Sequence, residues 1–110
     1  MSQLYIQVQT TVAAEGDAQR LAHQVMEKHL AACVQIAPCN SIYRWQERLE
    51  QETEFLCTMK TRADLFPALE QLMDEVHPYE LPELIALPLV DGSAAYLQWL
   101  EQALQSPEKA

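Results

Sequence analysis

The apolar residues of this chain change their spacing in a set order along its 110 positions, and that order admits few folds. Leu4, Ile6 and Val8 alternate with Tyr5, Gln7 and Gln9, which predicts a half-buried strand over about Leu4 to Thr11. Glu15-Gly16-Asp17 breaks it, and Asp17 is the expected N-cap of a helix over Ala18 to Ala31. Ala18, Leu21, Ala22, Val25, Met26 and Leu30 then form one stripe at helical spacing. A long extended segment follows, from about Ala32 to Gln46, rich in Val34, Ile36, Ile42, Tyr43 and Trp45 and interrupted by Pro38. Glu47-Arg48-Leu49-Glu50 reads as the hairpin turn, and Glu52 to Thr61 as the return strand, with Phe55, Cys57 and Met59 on one face.

Helical spacing returns over Leu65 to Val76, with Asp64 as N-cap and Pro67 in the first turn, where a missing N–H costs least. His77 precedes Pro78 and ends that helix, because a residue before proline is pushed out of the helical region. Leu84 to Val90 is apolar on both faces, the pattern of a strand covered on both sides. Asp91-Gly92 turns the chain, Ser93 caps a last helix carrying Tyr96, Leu97, Trp99, Leu100, Ala103 and Leu104, and Ser106 to Ala110 reads as a frayed tail. Two right-handed crossovers joined through a hairpin define an α+β, ferredoxin-like βαββαβ(α) sandwich, a single domain over residues 1–110. The hairpin strands, about 15 and 10 residues, exceed the usual ~5–6. Their outer half bears Ile42, Tyr43, Trp45 and Phe55 beyond the reach of two short helices, so a homo-oligomer is expected.

Charge narrows the partners. A net charge of −9 and a pI near 4.6 argue against nucleic acid and against an anionic membrane surface. No apolar run approaches the roughly 20 residues of a membrane span, and Met1 to Gln7 lacks the basic and apolar parts of a signal peptide. Cys33, Cys39 and Cys57 are odd in number and form no Cys-x-x-Cys pair, which fits free thiols in a reducing, cytoplasmic compartment.

Several segments, taken together, resemble the CutA family of divalent-cation-tolerance proteins. They are Leu30-Ala31-Ala32-Cys33-Val34-Gln35-Ile36, Ser41-Ile42-Tyr43-Arg44-Trp45, Met59-Lys60-Thr61, His77-Pro78-Tyr79 with Pro82 to Pro88, and Tyr96-Leu97-Gln98-Trp99-Leu100. The resemblance implies a homotrimer that exchanges its long hairpins between subunits. It also implies a link to copper and other divalent metals, a likeness to PII-type signalling trimers, and no agreed enzymatic activity. Some members carry a copper-associated cysteine at the end of the first strand; Thr10 stands there in this chain, and a hydroxyl is a poor copper ligand beside a thiolate.

The segment His77-Pro78-Tyr79-Glu80-Leu81-Pro82-Glu83 delivers a histidine, a tyrosine and carboxylates to the rim between a helix end and a strand start, or else serves as a rigid connector. His77 and Glu83 are the candidate metal ligands, imidazole being suited to copper and zinc; the competing role for His77 is a cap on helix carbonyls. Tyr43, Trp45, Lys60 and Tyr79 are candidate residues of an inter-subunit cleft, with trimer contact as the other role for the aromatics. Lys60 either pairs with Glu52 or Glu54 or awaits an anion, and Glu47, Glu50, Glu52 and Glu54 read as a solvated hairpin tip. Cys39 and Cys57 face each other only if the turn has three residues; otherwise the cysteines are small buried side chains, and nothing places His23 or His29 beside a thiol. The reading is a non-enzymatic trimer that binds divalent metal weakly or senses it. The alternative is a signalling trimer that binds a small anionic ligand.

Overall fold

The computed structural model describes residues 4–106. In chain order the elements are β1 (Tyr5–Val12), α1 (Glu15–Glu27), β2 (Cys33–Trp45), β3 (Arg48–Arg62), α2 (Phe66–Val76), β4 (Ile85–Pro88) and α3 (Ala94–Ala103), with a 3₁₀ turn at Ala63–Leu65 leading into α2. The strands form one antiparallel sheet in the order β2-β3-β1-β4, the ferredoxin-like arrangement expected from the spacing pattern.

Inward positions of the sheet meet α1 and α2 in one core. Ile6, Val8, Cys57 and Met59 pack there with Leu21, Val25, Leu69, Leu72 and Met73. Each fully buried Leu or Met side chain contributes roughly 1.5–3 kcal/mol by leaving water. The helix starts differ from expectation. Ala14 caps α1 through its carbonyl, which accepts from Ala18 N at 3.1 Å, and Asp17 lies inside the first turn, paired with Arg20. Asp64 does not cap α2; its carboxylate accepts from Arg62 Nε, and Leu65 occupies the cap position. Both aspartates have an arginine close by in sequence, and the ion pair outcompetes the cap. Ser93 does cap α3, its hydroxyl accepting from Tyr96 N.

The end of α1 is a Schellman turn built without glycine. His29 takes φ 55°, and Leu30 N reaches back to the Val25 carbonyl at 3.1 Å while His29 N bonds the Met26 carbonyl at 3.0 Å. The C-terminal segment locks onto this corner: Gln105 N donates to the His29 carbonyl and Gln105 Nε2 to the Lys28 carbonyl. Arg62, fully buried, ties α3 to the sheet by donating to Asp64, Glu101 and the Gln105 carbonyl, while Tyr5 OH donates to Glu101.

Two further expectations fail for reasons of position. The hairpin turn is Gln46-Glu47, two residues, both at positive φ, with Trp45 opposite Arg48. This is the backbone of a type I′ turn without the Asn-Gly that usually marks one. The last strand is shorter than Leu84 to Val90, and it is exposed rather than covered on both faces, with Ile85 at 47% and Leu87 at 42%. It stands at the sheet edge, where an apolar run meets no second layer within the chain. Of the frayed tail, residues 107–110 lie outside the described residues.

Candidate functional site

Pro78 forces His77 into extended backbone (φ −73°, ψ 133°), and this stops α2 at the sheet's end. The imidazole does not cap helix carbonyls. Its Nδ1 accepts from Tyr79 N at 3.1 Å, and its Nε2 lies 2.9 Å from Thr10 Oγ1. An accepting Nδ1 carries no proton, so Nε2 holds the hydrogen and donates it to the threonine. Burial lowers the His77 pKa and so favours the neutral ring; the Thr11 backbone and the Glu54 charge oppose this more weakly.

Tyr79 extends the chain of bonds. Its hydroxyl donates to Glu54 Oε2 at 2.6 Å. Burial, and then this bond, hold the phenol well above its usual range. Glu54 is therefore not part of a solvated tip: it is 5% exposed and holds a tyrosine. On the neighbouring position of β1, Gln9 Nε2 donates to Glu83 Oε2 at 3.1 Å. Thr10 and Gln9 are successive residues of β1 and point to opposite sides of the sheet, and His77 is anchored on one and Glu83 on the other. Among the described residues, no group of three or more His, Cys, Asp or Glu side chains could hold a metal ion.

A cleft of about 1040 Å³ opens between the outer hairpin and the 78–83 segment. Tyr43 and Trp45 of β2 and Tyr79 supply its aromatic walls. Glu50, Glu52 and Glu54 of β3 face Glu80 and Glu83 across it, and among the described residues no Lys, Arg or His lines it. The Tyr43 phenol is pushed up, first by burial and then by the Glu52 charge.

Lys60 lies elsewhere. Its Nζ donates to Gln35 Oε1 at 2.6 Å and bonds neither Glu52 nor Glu54. Tyr43 pairs with Glu50 and Lys60 with Cys33 on the same ladder. Ten residues of β3 therefore separate the two sites, or ~33 Å at about 3.3 Å per residue. Cys39 stands opposite Glu54 and Cys57 opposite Ile36, so the two thiols are not cross-strand partners. Burial pushes the Cys57 thiol up to about 11, which keeps it protonated and unreactive.

Sequence reasoning missed Arg62 and placed Glu54 at a solvated hairpin tip, where the structure buries it. The one available signal was Thr10, a polar residue at an inward position after Ile6 and Val8.

With this geometry in view, the comparisons with known proteins agree. Residues 6–103 match the family described as CutA1 divalent ion tolerance protein. Protein CutA of Homo sapiens is 44% identical over 97 residues, 87% of this chain and 54% of that protein. The chain thus spans about half the length of this relative. The divalent-cation tolerance protein CutA of Thermus thermophilus is 42% identical, over 84% of this chain and 90% of its own. Among solved structures, CutA from Synechococcus elongatus superposes with a TM-score of 0.89 at 40% identity, covering 94% of this chain and 93% of its own. One from Archaeoglobus fulgidus, described as a periplasmic divalent cation tolerance protein, gives 0.89 at 31% identity, covering 92% and 99%. In the described residues no helix is long and apolar enough to cross a membrane. The four-stranded sheet, the long hairpin and these matches together make the chain a member of the CutA1 divalent ion tolerance family.

Proposed function

We propose that this chain works as a non-enzymatic cytoplasmic homotrimer in divalent-metal tolerance, binding or sensing divalent cations weakly. The family is named for divalent-ion tolerance and not for a reaction. The observation that carries the reading is the cleft: five carboxylates, from Glu50, Glu52, Glu54, Glu80 and Glu83, line it with no basic residue among the described ones, and because they do not gather into a ready-made metal cluster they suit weak rather than tight binding. Low-dielectric walls focus such a field on cations. Of the two candidate ligands, Glu83 lines the cleft and His77 stands outside its lining. Copper is the poorer fit among divalent metals. The cleft's charged donors are oxygens, the Cys57 thiol is sealed and protonated, and both His77 nitrogens are engaged.

The trimer draws support from the exposed apolar arm and the exposed edge strand β4, two surfaces open to strand pairing with another copy. The reading with an anionic ligand is weaker, because Lys60 is bonded to Gln35 and lies outside the cleft; it needs a neighbouring copy to bring a lysine there.

Light scattering at micromolar concentration should give three chains per particle, and Trp45→Asp should weaken the assembly by burying an unpaired charge. Calorimetry with Mn²⁺, Zn²⁺ and Cu²⁺ on the wild type and on Glu83→Gln tests the cation site. Unchanged affinity in Glu83→Gln removes the cleft from the mechanism. A thermal shift with nucleotides or phosphates that Lys60→Met abolishes establishes the anion reading instead.

A further inference from the structure

We infer that His77 is a positioning residue and not a metal ligand: the hydrogen-bond chain Thr10–His77–Tyr79–Glu54 fixes the 77–83 segment, one wall of the cleft, against β1 and β3. The inference rests on the cation reading only for what the cleft binds; the clamp itself stands on geometry.

The segment needs such a clamp. Between the end of α2 at Val76 and the start of β4 at Ile85 it has no strand partner, and Pro78 and Pro82 have no N–H to give. One ring supplies two anchors. Toward Tyr79 it acts as an Asx turn does, with a side-chain acceptor at one residue taking the backbone N–H two residues on. Toward β1 its only N–H meets the wholly buried Thr10 hydroxyl and the Thr11 backbone. No lone pair remains for a metal. Tyr79 then carries the constraint to Glu54 on β3, while Gln9 holds Glu83 at the far end. A cation entering between these walls meets carboxylate oxygens, the donor set of hard cations such as Mn²⁺ and Mg²⁺.

Three variants separate clamp from ligand. His77→Asn keeps an acceptor for Tyr79 N–H but places no imidazole; His77→Gln can reach Thr10 but closes no Asx turn; His77→Ala does neither. NMR of the wild type should show the neutral Nε2–H tautomer and a protected Tyr79 amide. That protection should disappear in His77→Ala and His77→Gln and return in His77→Asn. In Mn²⁺ titrations His77→Ala should bind roughly 10-fold more weakly, the scale of a lost supporting hydrogen bond, and His77→Asn within about 3-fold of the wild type. An Nδ1–H tautomer, or Tyr79 protection unchanged in His77→Ala, overturns the clamp. So does equal loss of cation in His77→Asn and His77→Ala, or a nitrogen coupling in the Cu²⁺ electron paramagnetic resonance spectrum that disappears in both. If the wild type takes up neither Mn²⁺ nor Cu²⁺, the cation reading fails, and the tautomer and the Tyr79 amide still decide the role of His77.

Discussion

From Cys33 opposite Lys60 to Cys39 opposite Glu54, the β2–β3 ladder packs beside α1, and Cys57 and Met59 on it are wholly buried. From Asn40 to Trp45 and back to Thr53 the same ladder runs on without a break, yet Ile42 is 64% exposed and Leu49 68%. Backbone pairing is alike in the two halves, so it cannot be what separates them. The difference is cover: helices of 13 and 11 residues reach only part of a hairpin whose strands have 13 and 15. A strand's hydrogen bonds are settled by its neighbour strand, whereas its burial is settled by a second layer, and in the outer half that layer is not this chain.

The largest test of that contrast is a matched pair of truncations. Met59→Ala should cost about 2–5 kcal/mol in urea unfolding, as buried large-to-small changes do. Leu49→Ala should cost under ~0.5 kcal/mol in the dissociated chain, as an exposed change does. A cost at Leu49 that grows with protein concentration would place the outer half inside the assembly, which sharpens the contrast; an equal cost in the dilute chain would break it.

Next in size is the polar contact of the inner half. Thr10→Val keeps the side-chain volume and strands the His77 Nε2–H, so it should cost about 1–3 kcal/mol, with Thr10→Ser recovering most of it. A neutral Thr10→Val would mean that water replaces the hydroxyl and that the inner half is less sealed than its burial indicates.

The hairpin tip should move the other way. Gln46 and Glu47 both sit at positive φ, so the double substitution Gln46→Asn with Glu47→Gly should raise stability by about 1 kcal/mol by relieving that backbone. A loss of stability there would show that the native side chains hold contacts outside the chain.

The smallest effect is that of pH, and it belongs to the inner half. Burial lowers the folded pKa of His77 below its usual 6.5. Below about pH 6.5 the unfolded chain takes up a proton before the folded one does, so stability falls until the folded pKa is passed; above 6.5 both are neutral and the contribution is complete. Denaturation series from pH 5 to 8 should show that slope in the wild type, reduced in His77→Asn. Identical slopes would leave His77 with no coupling to folding.

Much of the fold is legible in local sequence. Alternation in Leu4 to Thr11, the stripe of Leu65 to Val76 and the proline after His77 each act over a few residues, where steric limits and side-chain period dominate, and each gave its element and the ferredoxin-like order. Positions 17 and 64 misled, because an aspartate suits a cap as well as an ion pair, and only the placement of Arg20 and Arg62 chooses. The run Leu84 to Val90 misled for a similar reason: apolar residues on both faces describe a covered central strand and an exposed edge strand alike, and sheet order decides.

The candidate site divides along the same line. Composition alone made the chain acidic, and local patterning set Tyr43, Trp45, Tyr79 and Glu83 near turns and rims. That Tyr79 meets Glu54, that Thr10 meets the His77 imidazole and that Lys60 sits ~33 Å down the ladder from Tyr43 are facts of register, set by how distant segments align. Sequence fixes what each residue can donate, accept or carry; only the packed sheet decides which partner, many positions away, it finds.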